Sequence, residues 1–162
     1  MDIPVFVSCP TDLSPSQGKS NLIIRRYLEL YNLEDRALGR SDYPTQLPLR
    51  EVLVLARHCS GGLILGFEQF RSLNGILKPG TGAELPSAEP RPFPTPWNHL
   101  EAGILFGLGL PLLIFREEKL AGGIFDDGVT DVFTHTMPTK DSSGLNEVFL
   151  QWQAEVRGHY YG

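Results

Sequence analysis

Gly62-Leu63-Ile64-Leu65-Gly66-Phe67 carries no charged or hydrogen-bonding side chain. A strand with one wet face alternates apolar and polar residues, whereas a strand covered on both faces is apolar at every position. This run therefore predicts a buried strand in a parallel sheet with helices on each side. Its neighbours support that frame. Pro4 to Ser8 reads as a second buried strand, with Val5, Phe6 and Val7 in a row and Pro10 to stop it. Leu110 to Phe115 reads as a third. Val132 to Thr136 and Arg36 to Gly39 read as two weaker ones.

Helical patterns fall between these runs. Ser14-Pro15-Ser16-Gln17 has helix-start chemistry: a capping serine, a proline for the first turn, and a glutamine three residues on to complete a capping box. Leu22, Ile23, Tyr27, Leu30 and Tyr31 give that helix an apolar face. A second helix is expected after Pro48, carrying Leu49, Val52, Leu53 and Ala56 and ending near Gly61-Gly62, where glycine suits a left-handed cap. Ser143 to Arg157 has helical spacing in Leu145, Val148, Phe149, Trp152 and Val156. Strand and helix thus alternate over one domain, 1–162. The predicted fold is α/β: a parallel sheet of about five strands with helices on both faces.

In such sheets ligands bind beyond the carboxyl ends of the strands, near the point where the strand order reverses. That rule selects three connections: Ser8 to Ser14, Glu68 to Pro96, and Arg116 to Asp131. The middle one holds a stretch rich in proline and glycine over about 71–96, read as a long loop of the kind that is often functional. Within it, Lys78-Pro79-Gly80-Thr81-Gly82-Ala83-Glu84 is not a phosphate-binding loop, because no Gly-Lys-Ser/Thr closes it.

Composition bounds the function. The formal net charge is -5, a poor footprint for nucleic acid or a membrane surface. Cys9 and Cys59 form neither a metal-type pair nor a disulfide framework, so no metal site is expected. The opening run lacks a basic segment and is too short for a signal or a membrane span, and a cytoplasmic location is expected.

The helix after the middle connection carries the chemistry. Thr95 can cap it, and Pro96 suits its first position. Projection of Trp97 to Leu108 puts Trp97, Glu101, Ile104, Leu105 and Leu108 on one face. Glu101 then lies in an apolar stripe, at the end where the strand termini open. A buried carboxylate costs several kcal/mol unless it is paired or used, and the helix N-terminus offsets about 0.3–1 kcal/mol of that. Such a group at a crevice mouth marks a candidate site. Asn98-x-x-Glu101 also fits a capping box, in which Glu101 only satisfies backbone donors. Gly103 and Gly107, on another face, read as packing positions.

Trp97-Asn98-His99-Leu100-Glu101 resembles the helix of TIR domains, in which a tryptophan precedes the catalytic glutamate by four positions. Val5-Phe6-Val7-Ser8 with Asp12 is similar to their first strand and loop. Gly62 to Phe67 and Gly109-Leu110-Pro111-Leu112-Leu113-Ile114 resemble the strands before and after that helix. Glu101-Ala102-Gly103 also resembles the corresponding turn of nucleoside 2-deoxyribosyltransferases, whose glutamate attacks the anomeric carbon. The likeness spans roughly residues 4 to 136. Thr95 replaces an aspartate of the deoxyribosyltransferases, and Asn98 replaces the Ser/Cys usual in TIR domains.

The resemblance implies a flavodoxin-like (TIR-like) topology and cleavage of an N-glycosidic bond in NAD or a related nucleotide or nucleoside, by hydrolysis, cyclisation or transfer. NAD is then a substrate rather than a cofactor. Glu101 would be the catalytic carboxylate. Ser8, Cys9 and Pro10 at the first strand's end, Phe67, Trp97, Asn98, and Asp126 from the last connection would meet the nucleotide. His99, on the helix's first turn, is expected to be solvated. The resemblance also implies homo-oligomers and a separate sensor or effector protein, as in bacterial antiviral signalling. A nucleotide-binding or assembly domain without turnover is the alternative.

Overall fold

Strand β1, Ile3–Ser8, is followed by helix α1, Pro15–Leu30. The start of α1 is the predicted capping box: Ser14 Oγ accepts the Gln17 N–H at 3.2 Å and Gln17 Oε1 accepts the Ser14 N–H at 3.0 Å. A computed structural model describes residues 1–37 and 48–162. Its remaining elements are β2 (Leu33–Arg36), α2 (Pro48–Arg57), β3 (Gly62–Gly66), β4 (Phe70–Ser72), β5 (Gly75–Leu77), β6 (Leu85–Ser87), β7 (Arg91–Phe93), α3 (Pro96–Gly107), β8 (Leu112–Arg116), a one-turn 3-10 helix (Gly123–Phe125), β9 (Thr134–Thr136) and α4 (Ser143–Tyr161).

Five strands form one parallel sheet in the order β2-β1-β3-β8-β9. This is the flavodoxin-like α/β arrangement, and its order reverses between β1 and β3. Register alternation divides the side chains. Val5 and Val7 of β1, Leu63, Leu65 and Phe67, and Leu113 and Phe115 pack with Ile24, Tyr27 and Leu28 of α1 and Phe149, Trp152 and Val156 of α4. Phe6, Ile64 and Ile114 point the other way, onto Val52 and Ala56 of α2 and Ala102 and Leu105 of α3. The apolar β3 is thus covered on both faces, as its composition requires.

Glycine at both ends of β3 lets the second layer come close. A Cβ on Gly62 would meet Leu105 Cδ1 and Leu112 Cδ2 at 2.9 Å. One on Gly66 would meet Leu120 Cδ2 at 2.9 Å and the ring of Phe125 closer still.

Several expectations need correction. Gly103 and Gly107, read as packing positions, are exposed, with open space where a Cβ would stand. Leu22 and Leu30, read on the apolar face of α1, are exposed, and Ile24, Tyr27 and Leu28 form its buried face. The weak strand expected at Arg36 to Gly39 is instead Leu33–Arg36; residues 38 and 39 lie outside the described residues. Asn32 takes a left-handed turn, φ 55°, straight out of α1, and the strand starts at once. As an edge strand it buries Leu33 and exposes three polar residues, so it lacks an apolar run. Helix α2 ends at Arg57, short of Gly61-Gly62, and neither glycine is left-handed. The stretch read as a loop over about 71–96 is two antiparallel ribbons, β4 with β7 and β5 with β6. Three-residue strands are too short to show a period, and Pro86 and Pro92 argue against strands. In a two-stranded ribbon every strand is an edge, where a missing N–H is tolerated. No helix among the described residues is long and apolar enough to cross a membrane.

Candidate active site

Three side chains meet at the reversal of strand order. Ser8 is the last residue of β1, and alternation with Phe6 turns it toward α3. Helix α3 starts where predicted: Thr95 Oγ1 accepts the Asn98 N–H at 3.2 Å, and Pro96 occupies the first turn. That start sets Asn98 and Glu101, three residues apart, on the face that meets β1 and β3. Ser8, Asn98 and Glu101 are each 0% exposed.

Their bonds form an ordered chain. Asn98 Nδ2 donates to Ser8 Oγ at 2.9 Å, and Ser8 Oγ donates to Glu101 Oε1 at 3.0 Å. The same amide nitrogen lies 3.4 Å from the Ser8 carbonyl and 3.3 Å from the Leu65 carbonyl. Asn98 therefore spans β1 and β3, the two strands that flank the reversal. Glu101 is not part of a capping box. Thr95 caps the helix, and the Glu101 carboxylate turns inward to Ser8. A hydrogen bond to an ionised group contributes about 1.5–3 kcal/mol, against a burial cost of several kcal/mol.

The other predicted residues are placed differently. Trp97 is half-buried against the α2–α3 side of the core, next to this cluster along the helix. Pro10 is buried, and Cys9 is half-buried, donating from Sγ to the Pro10 carbonyl at 3.3 Å. Cys9 packs with the α1–α4 core, on the face opposite Ser8. Phe67 is fully buried in that same core. It lies across the sheet from Glu101 and offers no surface to a base. Asp126 is exposed, and its Oδ1 accepts the Gly122 N–H at 2.9 Å, the work of a turn residue. His99 is not solvated as expected. It is half-buried against the 3-10 helix, 5.6 Å from the Phe125 ring, and burial lowers its pKa.

A second polar cluster, which the sequence did not reveal, lies at the same end of the sheet. Glu117, just after β8, accepts at Oε1 from the Glu68 N–H at 2.7 Å and from Gln17 Nε2 at 2.6 Å. Gln17 Nε2 also donates to the Glu68 carbonyl at 3.1 Å. The capping-box glutamine of α1 thus ties that helix to the ends of β3 and β8. Gln69 Nε2 donates to the Asp12 carbonyl at 3.0 Å, which fastens the root of the ribbons to the β1–α1 connection. Beside this cluster runs a groove of about 500 Å³ lined by Glu68, Arg71, Pro92, Glu117 and Lys119. Position Glu117 fell inside a predicted ligand connection, but only its strand-end location could have marked it. Among the described residues no group of three His, Cys, Asp or Glu is placed to hold a metal.

No protein-family model and no curated protein sequence matches this chain. Fold and site define an α/β domain of flavodoxin-like topology with a buried polar cluster around one carboxyl group at its strand reversal.

Proposed function

We propose that this chain cleaves the N-glycosidic bond of a nucleotide such as NAD, with Glu101 as the carboxylate at the reacting carbon. One observation carries the reading: a buried carboxyl group that accepts from the Ser8 hydroxyl at the reversal between β1 and β3, where folds of this topology bind ligands. The C1′–N bond breaks with its electron pair leaving on the base, and positive charge builds on the ribose. An adjacent carboxylate stabilises that charge or captures it. A water oxygen then adds to C1′ and loses a proton, or a second nucleophile of the same nucleotide closes a ring. Glu101 has no surface in this form, so binding must part the residues above it. The likeness to TIR domains supports a self-associating enzyme beside a separate sensor or effector in bacterial antiviral signalling.

Full burial favours a second reading. Ser8, Asn98 and Glu101 would strap α3 to β1 and β3, and the chain would be a nucleotide-binding or assembly domain without turnover.

The test is incubation of the protein, dilute and concentrated, with NAD and a panel of nucleosides with and without an acceptor base, with products read by mass spectrometry. Catalysis predicts release of the free base and its loss in Glu101→Gln with folding intact. Turnover by Glu101→Gln at the wild-type rate rejects the assignment. Ligand binding without consumption under every condition selects the second reading.

A further inference from the structure

The geometry points to Ser8 and Asn98 as positioning residues that fix the order of protons at Glu101. The inference rests on the reading of Glu101 as the reacting carboxylate. An asparagine amide can be turned either way, but here the choice is forced. The nitrogen lies near the Ser8 and Leu65 carbonyls, at 3.4 and 3.3 Å, and carbonyls only accept. With its nitrogen so placed, Asn98 must donate to Ser8 Oγ. A hydroxyl has one proton of its own. Since Ser8 Oγ already accepts from Asn98, that proton goes to Glu101 Oε1. Glu101 Oε1 is left as an acceptor. A hydrogen bond to the ionised form favours that form, so the relay counters the burial of the carboxylate. It also fixes the carboxylate's direction, through a residue that spans both strands at the reversal.

Ionisable groups on or next to the elements packed against this part of α3 are Cys9 after β1, Glu68 after β3, Asp126 beside the 3-10 helix, Arg50, Glu51 and Arg57 of α2, and His58 and Cys59 just after it; His99 lies on α3 itself. None is altered in the comparison, so their effects cancel between variants.

The experiment measures protonation of Glu101 by infrared difference spectroscopy of its carboxyl stretch, assigned with Glu101→Gln. It is run on wild type, Ser8→Ala, Asn98→Ala and Ser8→Thr. Loss of a charge-assisted bond moves the Ser8→Ala midpoint up by about one to two pH units. Asn98→Ala shifts it the same way, and Ser8→Thr, which keeps the hydroxyl, stays at wild type. A Ser8→Ala midpoint equal to or below wild type in folded protein overturns the proposal. If Ser8→Ala does not fold, Ser8→Cys, with its weak thiol donor, is read by the same criterion. The spectroscopic arm needs no turnover. The acid limb of kcat/KM for base release is the second arm. It must shift with the midpoint if Glu101 reacts. A shifted midpoint in a protein that releases no base refutes the catalytic reading and leaves the relay standing.

Discussion

Replacing Gly66 by alanine tests how the site's frame is built. Gly66 ends β3 on the α2–α3 face, and a Cβ there would meet Leu120 Cδ2 at 2.9 Å and the Phe125 ring at still shorter range. Phe125 and Leu120 are both 0% exposed. Neither can swing into solvent without opening the core. Overpacking of this kind costs about 1–3 kcal/mol. Gly66 does not have a positive φ, so alanine recovers about 0.5–1 kcal/mol of backbone entropy in the strand. The net expectation is a loss of about 1–2 kcal/mol. The contact lies mainly with the aromatic ring, so Phe125→Leu should relieve it. In that background only the 2.9 Å contact with Leu120 remains, so Gly66→Ala should cost less than in wild type, a coupling of about 1–2 kcal/mol. Urea unfolding of the four proteins of the cycle measures this, with unchanged m-values as the check that one transition is compared. Equal cost of Gly66→Ala in both backgrounds would show that Phe125 does not press on β3, and would refute the account of Gly66 as the opening that lets the second layer come close.

Further outcomes follow from single contacts. Thr95→Ala removes the cap of α3 and should cost about 1 kcal/mol in urea unfolding, with Thr95→Ser close to wild type. Phe149→Ala should cost about 3–5 kcal/mol by the same assay, because the ring is fully buried between Tyr27, Phe115 and Trp152. Burial lowers the pKa of His99 and of His135 below the ordinary value. The unfolded chain then binds more protons just below about pH 6.5, so stability is full above that pH and declines as pH falls through it. Each histidine contributes a slope of at most about 1.4 kcal/mol per pH unit, and unfolding midpoints of His99→Gln at pH 7.5 and 5.5 should differ less than those of wild type.

The parts that were legible in the sequence are those where one local rule acts alone. The run Gly62 to Phe67 announced a strand covered on both faces because no solvent face exists to interrupt it. Ser14 and Thr95 announced helix starts because capping is a matter of a few adjacent atoms. Glu101 was found by the same means, as a charge out of place on an apolar stripe. Its partner Ser8 lies at the end of a strand 93 positions away, and only the sheet brings the two together. The ribbons of residues 70–93 were missed for the converse reason. Their order comes from cross-strand pairing rather than from a buried face, and Phe70, Ile76 and Leu85 remain exposed.

Strand alternation is what separates the predicted site residues. Ser8 and Cys9 are adjacent in the chain, as are Gly66 and Phe67, yet each pair straddles the sheet. Helix α3 packs on one face only, so a side chain that shares that face can reach Glu101 and its neighbour cannot. Ser8 therefore joins the polar cluster around Glu101 while Cys9 and Phe67 enter the opposite core. A register slip of one residue in β1 would exchange the two sets, placing a thiol against Glu101 and a hydroxyl in an apolar layer. That layer includes Val5 and Val7, both 0% exposed, and the slip would also turn them toward α3. The same packing that holds β1 in register thus determines which atom hydrogen-bonds to the carboxylate.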